Sequence, residues 1–164
     1  MNDSALKAVS QGSGQNSGAQ QIVVDEVFHH APETIWRALT HGALMGRWMM
    51  QPTGFVPVVG NQFTFQTTPA GGWDGLIRCE MLEVVPNQRL SYAWRGGHAD
   101  NVGYGSLLDT IVTFTLTPVG VGTRLRVVHA GFVLPKNDTA YQNMSQGWKK
   151  VVHNLSTVVA GEEN

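Results

Sequence analysis

The sequence predicts an α+β protein in which a curved antiparallel sheet of about six strands packs around a long C-terminal helix. Three observations predict this class. Two short helical segments follow the first strand-like segment, a run of strand-like segments comes next, and a long helical segment ends the chain. Strands that curve around a helix leave space between them, so the fold class also predicts a cavity.

The first strand leads directly into the two short helices. Residues 21–28 are rich in Val and Ile, as strands are, and residues 32–48 then form two helices broken near Gly42. Pro32 suits a first helical position because it has no amide hydrogen to leave unpaired, and the apolar residues after it recur on one side. The second helix closes near Trp48. We expect the pair to cap one end of the sheet.

Strands are predicted through the middle of the chain. Phe55 lies in one short strand-like segment, and residues 61–67 alternate apolar and polar side chains with period two. Residues 76–85 and 88–95 are strand-like on either side of a Pro-Asn turn, which indicates an antiparallel hairpin.

A Gly-rich loop separates this hairpin from a second one. Residues 96–106 show no apolar period and form a solvated connection that could close over a cavity mouth, which would bring His98, Asp100 and Tyr104 near a ligand. The clearest strands follow over residues 107–117 and 123–132, joined by a turn over the five residues between 117 and 123.

The last element is one long amphipathic helix over residues 138–160. Its apolar residues recur at steps of three and four, and Thr139 with Gln142 three residues later has the pattern of a capping box. Gly161 is placed to stop the helix. The apolar stripe predicts that this helix packs on the inner face of the sheet.

These elements define one domain over residues 21–160. Residues 1–20 consist mostly of Ser, Gly, Gln, Asn and small apolar residues, so we expect a flexible tail, and residues 161–164 form a second short tail. The first segment lacks the apolar stretch of a signal peptide, and no apolar run reaches the length of a membrane span. We therefore expect a soluble, cytoplasmic protein that does not insert into membranes.

Composition and charge exclude several classes of function. Hydrophobic residues make up 42% of the 164 residues, which is enough for the chain to bury one sizeable core. Its net charge is −1 and its longest basic run is Lys149-Lys150, so a nucleic-acid partner is not expected. Cys79 is the only cysteine, which rules out an intrachain disulfide, and its place on the inward face predicts a buried, unreactive thiol.

The inward side of the strands and of the last helix supplies the candidate cavity wall. Alternation with apolar residues inward brings together aromatic, aliphatic and a few polar side chains. The predicted ligand-binding residues are Trp48, Phe63, Phe65, Ile77, Met81, Tyr92, Trp94, Thr110, Val112, Phe114, His129, Met144, Trp148 and Val151.

Tyr92, Thr110 and His129 are the polar members of this set, and a few polar groups on an apolar wall are what orients a ligand. His129 has two interpretations. It is either a core histidine with satisfied hydrogen bonds or, if it faces an open pocket, a ligand contact or general base.

No catalytic residue, metal site or cofactor is predicted. His29 and His30 are adjacent on a strand and point to opposite faces, so they do not share one metal ion easily. The carboxylates form no acid pair, and the paired glycines do not lie between a strand and a helix as a phosphate-binding loop requires.

Several motifs in order support a resemblance to a known family. They are residues 28–36, Arg47-Trp48, the 75–85 strand with Pro86 and Arg89-Leu90, residues 112–118, residues 122–125, His129 to Phe132, and Gly147-Trp148. Together they resemble the activator of heat-shock protein 90 ATPase homologue-like family, within the START-like superfamily that includes polyketide cyclases. The resemblance covers roughly residues 23–159. It implies a helix-grip fold (START-like, Bet v 1-like) with six to seven strands and a hydrophobic pocket.

This chain departs from the family pattern in two places. His30-Ala31-Pro32 stands where members often have Ala-Pro-Pro. The eukaryotic co-chaperone also carries an additional amino-terminal domain that the Gly/Ser/Gln-rich segment of this chain does not replace.

Three functions are therefore considered, in this order. The first is a binding module for a small apolar or aromatic, lipid- or polyketide-like molecule. The second is a polyketide cyclase or hydrolase that uses the same cavity, with His129 or Tyr92 in proton transfer. The third is a co-chaperone that stimulates a heat-shock chaperone ATPase. Either a monomer or a homodimer fits these functions.

Overall fold

The structure is a computed structural model that describes residues 19–162, and it contains six strands and three helices over that range. The strands are β1 (Ala19–Phe28), β2 (Gln62–Gln66), β3 (Leu76–Val85), β4 (Arg89–Gly96), β5 (Leu108–Val119) and β6 (Gly122–Val133). The helices are α1 (Pro32–Thr40), α2 (Gly42–Trp48) and α3 (Asp138–Glu162).

All six strands form one antiparallel sheet in the order β1-β6-β5-β4-β3-β2. Helix α3 packs on the face of the sheet that carries the large aromatic residues, and α1 and α2 pack against α3. The predicted helix-grip fold is confirmed, including the two short helices after the first strand. None of the helices formed by residues 19–162 is long and apolar enough to cross a membrane.

Several predicted boundaries were wrong at the ends of elements. Strand β1 begins at Ala19, two residues before the predicted start at Gln21, and the rest of the predicted N-terminal tail, residues 1–18, lies outside the described residues. Phe55 lies outside the six strands, in a segment that is bonded to the sheet by the Thr53–Thr64 bridge and by backbone hydrogen bonds of Gly60 and Asn61 with Met81. Strands β5 and β6 pair as far as Val119 and Gly122, which leaves a two-residue turn.

Helix α3 also differs from its prediction at both ends. It begins at Asp138, so Thr139 lies inside the first turn rather than at the capping position, and Asn137 holds the start instead. The Asn137 side chain accepts a hydrogen bond from the Val133 amide and donates one to the Leu107 carbonyl. At the other end the helix continues through Gly161 to Glu162, because a glycine lowers helix propensity without forbidding helical backbone.

A bulge in β6 determines which side chains enter the core. Gly131 adopts φ +109° and is skipped in the pairing of β1 with β6, where Gln20 pairs with Phe132 and Gln21 with Ala130. The extra residue shifts the alternation, so that His129 and Phe132 both face inward and both have 0% exposure. His129 faces inward by ordinary alternation with Leu125 and Val127, and the bulge brings Phe132 to the same face, with its ring 4.7 Å from that of His129.

Candidate functional site

A cleft of about 240 Å³ opens between α3, the end of the β3–β4 hairpin and three connecting segments. On one side, α3 contributes Ala140, Asn143, Met144, Gly147, Trp148 and Val151. These residues recur at steps of three and four, so they form a single stripe on the helix surface. The cleft therefore runs along α3 for about three turns.

The sheet and the segment after α2 form the opposite walls. Ile77 and Trp94 from β3 and β4 line the cleft together with Leu108 at the start of β5. Met49 and Met50, directly after α2, line it from the end of the sheet that the two short helices cover. Thioether side chains are flexible and polarizable, so this wall can adapt to differently shaped apolar groups.

Two loops that are tied to each other build the mouth of the cleft. Trp73 lines it from the β2–β3 connection and Tyr104 from the β4–β5 connection, with their rings 5.8 Å apart. The Tyr104 hydroxyl donates a 2.7 Å hydrogen bond to the Thr68 carbonyl, and the Asn101 amide donates one of 2.8 Å to the Ala70 carbonyl. The loop of residues 96–106 is thus fastened across the cleft.

Behind the cleft, a chain of hydrogen bonds links α3 to three strands. The Trp148 indole donates from Nε1 to Nδ1 of His129 over 3.0 Å. Because Nδ1 accepts, the His129 proton is on Nε2, which donates to Oγ1 of Thr110 over 2.7 Å. The Thr110 hydroxyl then donates to the Trp94 carbonyl over 2.8 Å. Every polar side-chain atom in this network has a partner.

The network defines the chemistry of His129. Burial lowers its pKa from 6.5 to about 3, so the imidazole is neutral at physiological pH. Its basic lone pair on Nδ1 is occupied by the Trp148 N–H. The structure therefore supports the interpretation of His129 as a core histidine, and a general base would need both access and a free lone pair.

Tyr92 is the polar core residue with a different environment. It is fully buried, with its ring against Phe63 and Phe114 at 5.2 and 5.9 Å, and among the residues that the structure describes its hydroxyl has no hydrogen-bond partner. Burial, with a smaller contribution from nearby Cys79, holds the pKa of Tyr92 well above its ordinary value. The group is thus a neutral phenol that can donate a hydrogen bond.

Cys79 lies in the same apolar layer, where it pairs in register with Trp94. Burial raises the pKa of its thiol from 9.0 to about 12, although Arg95 opposes part of that shift. Because the thiolate is the nucleophilic form, this environment makes the cysteine unreactive.

The predicted ligand-binding residues divide into two groups. Five of them line the cleft: Ile77, Trp94, Met144, Trp148 and Val151. The others pack within the buried core and are not among the residues that line the cleft: Trp48, Phe63, Phe65, Met81, Tyr92, Thr110, Val112, Phe114 and His129. Ligand contact by any of them remains a prediction.

The three loop residues that were predicted to lie near a ligand also divide into those that line the cleft and those that do not. Tyr104 lines the cleft, whereas His98 and Asp100 do not, because the His98 ring turns back to accept a hydrogen bond from the Asp100 amide. Met49, Met50 and Trp73 line the cleft from connecting segments, to which strand alternation does not apply.

The wall of the cleft carries no formal charge. Among the described residues, 19–162, those that line the cleft include no aspartate, glutamate, lysine, arginine, histidine or cysteine. Over the same range, no three His, Cys, Asp or Glu side chains lie close enough to hold a metal ion. The arrangement is suited to binding an uncharged apolar group.

Comparison with known proteins identifies relatives of this chain. The sequence profile of the Activator of Hsp90 ATPase homolog 1-like protein family matches residues 29–160. None of the curated proteins matches the chain. Protein MLL2253 from Mesorhizobium loti is 37% identical in a solved structure with a TM-score of 0.75, over 86% of this chain and 97% of that one.

Two more distant solved structures share the fold. CalU16 from Micromonospora echinospora is 21% identical, with a TM-score of 0.66 over 88% of this chain and 79% of its own. The Aha1 dimer from Colwellia psychrerythraea is 19% identical, with a TM-score of 0.64 over 85% of this chain and 96% of its own.

Proposed function

Because the chain belongs to the Activator of Hsp90 ATPase homolog 1-like family, we propose that it is a helix-grip domain that binds a small uncharged molecule in the cleft along α3. The ligand is apolar or aromatic and lipid- or polyketide-like in character. It lies between the α3 stripe on one side and the sheet residues Ile77 and Trp94 on the other.

The observation that carries this proposal is the uncharged aromatic wall. Trp73, Trp94, Tyr104 and Trp148 surround the space, and three methionines complete it. Concave sites with this composition are typical of small-molecule binding. A ligand that covers this apolar surface gains about 25 cal/mol of free energy for each Å² that it removes from water.

The volume limits the size of the ligand. Small-molecule sites usually measure about 300–1,000 Å³, and an engineered apolar cavity of about 150 Å³ binds benzene. At about 240 Å³ the cleft suits a fused ring pair or a short acyl chain better than a complete two-chain lipid. N-phenyl-1-naphthylamine and naphthalene, which are neutral and aromatic, are suitable probes.

A titration with these probes tests the proposal. We expect saturable binding by the native chain, with quenching or a shift of tryptophan fluorescence. The Met144→Lys variant places a charge on the cleft wall and should weaken binding by at least about tenfold, whereas Gln142→Lys, exposed on the same helix outside the cleft, should bind as the native chain does. Absence of saturable binding by the native chain would contradict the proposal.

The two alternative functions make different demands. A cyclase or hydrolase needs polar groups that converge on a substrate, but the Tyr104 hydroxyl at the mouth is bonded to the Thr68 carbonyl and the Ser106 hydroxyl to Asn137. A co-chaperone acts through its surface, and stimulation of a heat-shock chaperone ATPase by the added domain is the assay that would favour it. Binding in the cleft is the function that the geometry supports best.

A further inference from the structure

We propose that Gly147 determines the size of the ligand, because a ring of the ligand packs directly against the α3 backbone where this residue has no side chain. The inference rests on the proposed function and deepens it. It names the part of the cleft that accepts the bulk of the molecule, and it assigns a specificity role to a residue that otherwise weakens its own helix.

Gly147 faces empty space inside the cleft. It lines the cleft in the middle of α3, and a Cβ added to it would meet no atom within 4 Å. In contrast, Gly131 needs a left-handed φ and a Cβ on Gly46 would lie 2.6 Å from Gln51 Oε1. The fold therefore has no steric reason to exclude a side chain at position 147.

A glycine inside a helix has a cost. It lowers helix stability relative to alanine because it has more backbone freedom to lose on folding. Gly147 is about two and a half turns from the first residue of α3, where no cap or turn calls for glycine. Gly147 therefore destabilises its helix while it leaves free space on the wall of the cleft. A ligand that approaches the backbone closely requires such a residue, because any side chain would occupy that space.

The neighbouring side chains do not fill the gap. Trp148 is the nearest large residue in sequence, and its indole is held by the 3.0 Å hydrogen bond to His129. Ala140, two turns earlier on the same stripe, is also small. Met144 and Val151 flank Gly147 on the stripe, and neither lies within 4 Å of a Cβ added at position 147, so the backbone at Gly147 remains open and a flat uncharged ring can lie against it.

Substitution at Gly147 separates a ligand role from a structural one. The Gly147→Ala variant should raise the melting temperature by about 2 °C through helix propensity. It should also weaken binding of N-phenyl-1-naphthylamine by about tenfold relative to the smaller probe naphthalene, since one methyl group in an apolar pocket discriminates to this extent. Gly147→Leu should abolish binding of the larger probe.

Gly161→Ala is the matched control. It also replaces a glycine within α3 where an added Cβ meets no atom within 4 Å, but Gly161 does not line the cleft. It should leave the affinities for N-phenyl-1-naphthylamine and naphthalene unchanged.

A second measurement locates the ligand directly. In the native chain, nuclear Overhauser effects should connect the probe protons to the Gly147 Hα protons.

The outcomes distinguish the two proposals. If the native chain binds the probes and both Gly147 variants bind them with unchanged affinity and size preference, the role of Gly147 is wrong while the proposed function stands. If the native chain binds none of the probes, the proposed function and this inference both fail. If Gly147→Leu does not fold, Gly147→Ala and the nuclear Overhauser effects decide.

Discussion

The indole Nε1–H of Trp148 donates a 3.0 Å hydrogen bond to Nδ1 of His129, and this bond joins the wall of the cleft to the buried core. The bond fixes the orientation of the Trp148 indole from the side that faces the core. On the other side of His129, Thr110 extends the connection to the backbone of Trp94, which also lines the cleft. One neutral histidine thus holds the Trp148 indole by a hydrogen bond and packs edge-on against the Trp94 ring, with the ring centroids 5.3 Å apart.

Removal of the His129 imidazole should strongly destabilise the protein. In the His129→Leu variant, the buried Trp148 N–H and the Thr110 hydroxyl each lose a partner, so we expect the free energy of unfolding in urea to fall by about 3 kcal/mol. His153→Leu changes an exposed histidine on α3 and should alter the free energy of unfolding by less than about 0.5 kcal/mol. Equal effects of the two substitutions would contradict the network.

The low pKa of His129 predicts that acid destabilises the fold. Between its ordinary pKa of 6.5 and the folded value of about 3, the unfolded chain binds a proton that the folded chain does not. Stability from this residue is therefore complete above pH 6.5 and is lost as pH falls, by up to about 1.4 kcal/mol per pH unit between pH 6 and 4.

The measurement is the free energy of unfolding across this pH range for the native chain and for His129→Leu. The native chain should lose stability more steeply, because the variant lacks the titrating group. Parallel curves would show that His129 titrates normally in the folded state.

The unpartnered Tyr92 hydroxyl predicts a substitution that stabilises the protein. Tyr92→Phe removes a buried polar group that has no hydrogen bond to lose, so we expect the free energy of unfolding to rise by about 1 kcal/mol. Tyr104→Phe is the contrasting control, because it removes the hydrogen bond to the Thr68 carbonyl and should lower stability or leave it unchanged. A loss of stability in Tyr92→Phe would mean that the hydroxyl has a partner.

The sequence predicts the sheet and its inward face better than it predicts the cleft. Period-two alternation identifies Ile77 and Trp94 as inward residues, and the helical period does the same for Met144 and Val151. Alternation gives direction only, and it does not distinguish a side chain that fills the core from one that borders open space. Phe63 and Phe65 have the same pattern as the lining residues, but they pack on each other and on the rings of Tyr92 and Trp94, and neither lines the cleft.

Most of the cleft residues that sequence reasoning missed belong to two kinds. Trp73 and Met50 reach the cleft from connecting segments, whose course depends on tertiary hydrogen bonds such as those of Asn101. Gly147 and Ala140 share the apolar stripe of α3, so their spacing from Met144 could have identified them. Their small side chains contribute little to the apolar pattern of the helix, which the large residues dominate.

The indole N–H signals of the five tryptophans, followed by ¹H–¹⁵N NMR during a titration with naphthalene, test the central claim most directly. Trp73, Trp94 and Trp148 line the cleft, whereas Trp36 and Trp48 do not, and the Trp48 N–H is bonded to the Ala38 carbonyl in the core. We expect saturable shifts of the first three signals, with those of Trp36 and Trp48 unchanged. Shifts confined to Trp36 and Trp48, or no saturable shift at all, would contradict a ligand site in the cleft.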